Sequence, residues 1–400
     1  MSTFPAISPL ETARRAGARV VALAAFAWLS ACVAIPSVGV LQDTGQTIDA
    51  SVPVQVALLV PGGSTQGSDQ AIANSLENAA RLAISDLQGV DVDLRIYNTG
   101  SDAAQAAAIA TRAVDEGAKI LLGPLFADSA NSAGVAVAPR NVNVLAFSNN
   151  PTIAGGNVFV LGTTFNTVAD RLVRYAQRTG VDRFGIVHGD DLQGIVGRDA
   201  IAGAVRSNGA QVAGVASYPL SQQGITGAAG SIAATVKAAG AEAIFTTAGV
   251  NADLPILATA LPEAGVDPAT TRYLGLTRWD AAPQALALPG LQGGLFAIPD
   301  QAMLSTFESR YRATYGSDPH PLAGLAYDGI AAIGALVAQG RTDALTKTAL
   351  TQRQGFTGTS GVFRLQTNGL SQRALAVATV RNGAVTILEP APRSFGRAGS

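Results

Sequence analysis

Apolar residues along this chain fall into two rhythms that take turns. Residues 54–60 form a near-continuous apolar run ended by Pro61-Gly62-Gly63, the pattern of a strand covered on both faces of a parallel sheet. In residues 70–86 the apolar positions Ile72, Leu76, Ala79, Ala80 and Ala83 recur at helical spacing and continue to Leu87, with Ser68 or Asp69 available as a cap. The same alternation predicts strands at 92–97, 118–122, 142–147 and 158–161, with an Ala-rich helix at 103–116 ended by Gly117. A second set begins near Thr164, with helices at 168–177, 197–208, 225–239 and 254–264 and strands at 184–188, 212–218, 243–246 and 273–276. Helices at 302–315 and 323–339 follow. The end changes character: strand-like runs at 361–365, 375–381 and 384–388 carry the turn pairs Asn368-Gly369 and Asn382-Gly383, which signal hairpins.

Repeated strand–helix–strand units imply parallel sheets with helices on both faces. Two such sets in a chain of this length imply an α/β fold of two doubly wound parallel-sheet lobes. Ligands in such sheets sit beyond the carboxyl ends of the strands, so with two lobes the expected site is the cleft between them.

Composition adds a leader. Arg14, Arg15 and Arg19 precede an apolar stretch, residues 20–28, and then Leu29-Ser30-Ala31-Cys32. That is the layout of a secretory signal, and the run is shorter than the ~20 apolar residues of a bilayer span. Leu-Ser-Ala-Cys resembles the bacterial lipobox, which implies lipidation at Cys32, the one cysteine of the 400 residues. Residues 1–31 are thus expected as signal peptide, 32–52 as a lipidated tether, and 391–400 as a disordered tail. A single cysteine excludes an intrachain disulfide. Lys and Arg number 27 against 28 Asp and Glu, a net charge of −1. No basic stripe is available to neutralise phosphates, which excludes nucleic acid as a partner.

Candidate chemistry is sparse. His188 and His320 are the only histidines, too few for a metal site without cysteine ligands and without the partners of a catalytic triad. His188 reads as a strand-end residue and His320, between Pro319 and Pro321, as a surface-loop residue. No Gly-x-Ser-x-Gly elbow occurs, and no Lys follows Gly62-Gly63-Ser64-Thr65 at phosphate-loop spacing. The adjacent Asp190 and Asp191 do not converge on one bond as acid–base pairs must. No catalytic residue, metal or cofactor is expected. Tyr327-Asp328 reads as helix packing or as a cleft contact. Arg278-Trp279 suits a cleft ligand or a partner surface.

An ordered series of segments resembles the type I periplasmic binding proteins of the leucine/isoleucine/valine-binding group. It comprises Val56-Ala57-Leu58-Leu59-Val60-Pro61-Gly62, Gly123-Pro124-Leu125, the run from Val144 to Pro151, Phe184-Gly185-Ile186-Val187-His188, Ala326-Tyr327-Asp328-Gly329, and Phe356-Thr357-Gly358 through Phe363. The resemblance implies a hinge of three crossings, placed near Gly162, Thr277 and Gln354. Lobe 1 would then hold 53–162 plus 278–354, and lobe 2 would hold 163–277 plus 355–390. It implies a carboxylate anchor at Ser129, Ser148 and Asn149, a second anchor at Thr277, Arg278 and Trp279, and a ligand shelf in the segment around Asp191. Where the group places an acidic partner for a ligand ammonium, this chain has Thr277 or Arg278, and the shelf segment holds no aromatic residue.

Leu58 to Pro61, Leu122 to Leu125, Ala146 to Pro151, and Leu274-Gly275 with Trp279-Asp280 also resemble the penicillin-binding protein activators. That likeness, with Val33 after the cysteine, implies a non-enzymatic, lipid-anchored protein of the outer membrane that partners a penicillin-binding protein in peptidoglycan synthesis. The alternative expectation is the solute-binding receptor of an ABC transporter, taking a small polar ligand such as a branched-chain amino acid or amide and passing it to a permease.

Overall fold

The computed structural model describes residues 43–395; the leader, Cys32, most of the expected tether and the last five residues lie outside the described residues. From Thr44 onward the chain folds as one compact unit built on two main sheets.

Strands β1 (Val54–Val60), β2 (Val92–Asn98), β3 (Ile120–Leu122), β4 (Asn143–Ala146) and β5 (Val158–Val160) form a five-stranded sheet in the order β2-β1-β3-β4-β5, parallel throughout. The continuous apolar run of β1 is buried from Val56 to Val60, as a central parallel strand requires. Helices α1 (Gly67–Asp86), α2 (Ala103–Asp115) and α3 (Ala127–Val137) connect these strands.

The second sheet has seven strands. In chain order they are β6 (Arg183–Gly189), β7 (Gln211–Tyr218), β8 (Ala243–Thr246), β9 (Arg272–Gly275), β10 (Leu295–Ile298), then two later strands, Ala376–Arg381 and Ala384–Glu389. The first five are parallel to one another, and the last two add as an antiparallel edge beside β10. Helices α4 (Phe165–Arg178), α5 (Leu192–Ser207), α6 (Gln222–Ala238) and α7 (Leu254–Glu263) cover it. The edge hairpin turns at Asn382 and Gly383, both with positive φ (51° and 73°), the geometry Asn-Gly favours.

Helices α8 (Gln301–Tyr315) and α9 (Ala323–Val337) pack back on the first core through Phe307, Tyr311, Ile330 and Ile333. A three-stranded antiparallel sheet, Phe356–Gly358, Gly361–Leu365 and Ser371–Arg373, joins that same core through Phe356, Phe363 and Leu365.

Two expected crossings therefore move. Residues 278–298 stay with the second core: β10 pairs with β9 and with Ala376–Arg381, and Trp279 is fully buried there, stacked on Phe296 at 5.2 Å. The chain passes between the cores at Gly162, at Pro299 and at Ala374, rather than near Thr277 and Gln354. The described part of the expected tether is also tied down. Ile48 is buried, its amide donates to the Thr342 carbonyl at 2.8 Å, and Asn143 Nδ2 donates to the Thr44 carbonyl at 3.0 Å. Among the described residues, no helix is long and apolar enough to cross a membrane.

Candidate functional site

A cleft of about 880 Å³ opens between the two cores. Parallel strands deliver loops to it from their carboxyl ends. The first core contributes Phe147, Ser148, Asn149 and Asn150 from beyond β4, Phe126 and Ala127 from the start of α3, and Leu304, Phe307 and Glu308 from α8. The second core contributes Phe165 and Val168 from α4, Ala297 of β10, and Leu276, Arg278 and Leu375 from loops. The body of the cleft is thus aromatic and aliphatic, with polar groups set at a few points, the composition of a small-molecule site.

Each polar group has a local cause. Ser148 is nearly buried; its Oγ accepts the Asn150 amide at 3.0 Å, and its carbonyl accepts the Gly162 amide at 3.1 Å. The loop is thereby fixed to the first crossing, and a Cβ at Gly162 would press on the Ser148 carbonyl. Helix α3 begins after Phe126 with no side chain capping it, so its first amides keep unfilled donor capacity and the positive end of the helix dipole beside the cleft.

The floor lies at the crossings. Asp328, in α9, accepts Arg373 Nη1 at 2.7 Å on Oδ2 and the Thr359 amide at 2.7 Å on Oδ1. Both side chains are buried, at 1% and 5% exposure. Arg373 Nε donates to the Leu161 carbonyl at 3.0 Å, the guanidinium lies 4.9 Å from the centre of the Phe363 ring, and Nη2 has no partner. On the rim, His320 Nδ1 accepts the Leu322 amide at 3.2 Å, which leaves the proton of the neutral ring on Nε2. Burial lowers the His320 pKa from its ordinary value. Arg278 reaches the cleft from the second core, its Nε and Nη2 donating to the two oxygens of Asp280 at 3.1 and 2.6 Å.

Of the residues expected to bind a ligand, Ser148, Asn149 and Arg278 meet in this cleft. The others are placed elsewhere. Trp279 is excluded because its indole fills a notch made by Gly275 and Gly294 inside the second core. Ser129 belongs to the first turn of α3, and its buried Oγ has no hydrogen-bond partner. Asp191 caps α5 by accepting the Gly194 amide at 3.0 Å. Thr277 donates to the Ala248 carbonyl at 2.9 Å. Cys32 lies outside the described residues. His320, expected on a surface loop, instead lines the cleft. The Asp328–Arg373 pair was not foreseen, since nothing in the spacing of two residues on different elements announces their contact. Among the described residues, no group of three or more His, Cys, Asp or Glu side chains could hold a metal ion.

Residues 53–384 match the family model described as periplasmic binding protein. A structure from Rhodospirillum rubrum, provisionally described as a branched-chain amino acid ABC transporter, is similar over 84% of this chain and 100% of its own, with TM-score 0.70 and 18% identity. An ABC transporter substrate-binding protein of Desulfitobacterium hafniense in complex with Leu matches at TM-score 0.60 and 17% identity, over 84% of this chain and 100% of its own. A solute-binding protein of an ABC transporter from Rhodopseudomonas palustris, in complex with 3,4-dihydroxybenzoic acid, matches at TM-score 0.55 and 15% identity, over 87% and 99%. Identities this low carry the fold alone. Among curated proteins, an uncharacterised protein of Rickettsia prowazekii aligns over 122 residues at 24% identity, covering 30% of this chain and 32% of that protein. The matched stretch is thus about a third of that relative's length.

Proposed function

Because this chain belongs to the periplasmic binding protein family, we propose that it is a non-enzymatic solute receptor, which captures a small, largely apolar ligand between its two cores and hands it to the permease of an ABC transporter. The observation that carries this reading is the cleft itself: about 880 Å³, walled by Phe147, Phe165, Phe307 and Leu276, with Ser148, Asn149 and the uncapped start of α3 grouped on one side. That grouping suits the head of an amphipathic solute, and the aromatic walls suit a branched aliphatic or aromatic body. Family membership supports the periplasm as its location, and we keep Cys32 as the proposed lipid anchor there. Replacing Cys32 with Ser is expected to abolish incorporation of labelled fatty acid.

The runner-up is the penicillin-binding protein activator reading; with Trp279 in the core, a partner surface there would have to be built from Arg278 and its exposed neighbours rather than from the indole. The solute-receptor reading is tested by thermal unfolding against branched-chain and aromatic amino acids, their amides and their acids. A ligand at ~100 times its dissociation constant adds about 2.7 kcal/mol to the folded state, a clear rise in midpoint. No shift across the whole panel would contradict solute capture and return attention to envelope protein partners.

A further inference from the structure

The donors and acceptors left over in the cleft are not balanced, and the imbalance bears on the ligand's charge. Asp328 is charge-paired with Arg373 through one oxygen and accepts the Thr359 amide on the other. Arg278 spends Nε and Nη2 on Asp280 and keeps the donors of Nη1. At the floor, Arg373 Nη2 is buried and without a partner. The neutral His320 ring carries its proton on Nε2, because Nδ1 is occupied by the Leu322 amide. Against these donors, Glu308 on the first core is the one lining carboxylate not already bound. A buried ammonium must be met by a carboxylate, yet the second core offers a guanidinium on its wall, beside apolar Phe165, Val168, Leu276 and Leu375.

We propose that the cleft selects carboxylic acids lacking an α-ammonium, with a branched aliphatic or aromatic body, and that Arg278 is the second-core residue that binds the carboxylate. The inference rests on the solute-receptor reading and narrows it. Asp280 acts as a positioning residue: its two-point contact fixes the planar fork of Arg278, so less side-chain freedom is lost when an anion docks. An α-amino acid presents the same acid but adds an ammonium, and the second-core carboxylate nearest Arg278, Asp280, is held by Arg278 through both its oxygens and does not line the cleft. A neutral amide presents the same shape without the charge.

The test is calorimetric titration of the full-length protein with matched sets: 4-methylpentanoate, leucine and 4-methylpentanamide, then 3-phenylpropanoate, phenylalanine and 3-phenylpropanamide. In at least one set the acid is expected to bind roughly ten- to a hundredfold tighter than its amino acid and its amide, as one charge-assisted hydrogen bond predicts. Arg278→Gln should weaken the acid by a similar factor while leaving the amide and the unfolding midpoint unchanged. Glu308→Gln, which removes a negative charge from the cleft lining, should tighten the acid. Tighter binding of the amino acid, lost on Glu308→Gln, would overturn the inference and leave solute capture standing. Equal weakening of acid and amide by Arg278→Gln would also overturn it, since Arg278 would then act by closing the cleft. Absence of binding by every member would overturn both this inference and the receptor reading.

Discussion

Arg278 and Trp279 are neighbours in sequence and serve opposite purposes. Arg278 is exposed on the cleft wall, while Trp279 is fully buried against Phe296. What decides between them is invisible in their own two positions: Gly275 and Gly294 lack the Cβ atoms that would collide with the indole. Trp279→Ala is therefore expected to cost about 3–5 kcal/mol of stability. Gly275→Ala, which overfills the notch, is expected to cost about 1–3 kcal/mol. Both are read from denaturant midpoints, and a Trp279→Ala protein that unfolds at the wild-type midpoint would contradict this placement. That Ser148, Asn149 and Arg278 line the cleft was legible from the family resemblance, which pointed to those positions. The pairing of Asp328 with Arg373 was not, because it depends on how α9 and the strand Ser371–Arg373 meet. Asp328→Asn leaves Arg373 charged and buried, and is expected to cost roughly 3–5 kcal/mol.

At the scale of elements, the central strands were easiest to read: residues 54–60 are a strand at those same bounds, since an unbroken apolar run has few other uses. Helix α3 escaped notice. Its sequence, ADSANSAGVAV, holds small residues and no large apolar stripe, and its buried face is Ala130, Ala133 and Val137. Its first turn is what brings an uncapped helix end to the cleft. Strand β10 was likewise missed, being four residues preceded by short irregular turns. Its omission moved one expected crossing by about twenty residues. Gly162→Ala presses on the Ser148 carbonyl and is expected to lower ligand affinity more than it lowers stability, which titration and unfolding of the same variant can separate. Between α1, α8 and α9, Asp86 binds Arg310 and the Tyr327 hydroxyl. The Arg310 guanidinium holds the Asp86 carboxyl below its ordinary range, while burial, and then the bond to Asp86, pushes the Tyr327 hydroxyl up to about 12. A carboxyl with a lowered folded-state pKa stabilises at every pH above its unfolded value, and the contribution is lost as pH falls through the folded value. Asp86→Asn should accordingly narrow its stability deficit against wild type as pH drops below about 4, and a deficit constant from pH 7 to pH 3 would contradict the pairing.

For the whole molecule, the Arg373–Asp328 pair and the Arg373–Leu161 bond fasten two of the three crossings to the first core. Bending between the cores is then expected on the second-core side of those contacts, around Thr163, Pro299 and Ala374, a motion of the hinge type. The two-lobed plan was legible because strand–helix repeats came in two sets; the partition of the last hundred residues was not, because it depends on which sheet each short strand joins. The central claim is that one solute touches both cores at once. Hydrogen–deuterium exchange of the protein with and without a panel ligand tests this most directly. Slowed exchange at 126–128 and 147–150 on one wall together with 163–168 and 276–278 on the other is the predicted result. Protection confined to a single core, or none at saturating ligand, would contradict it.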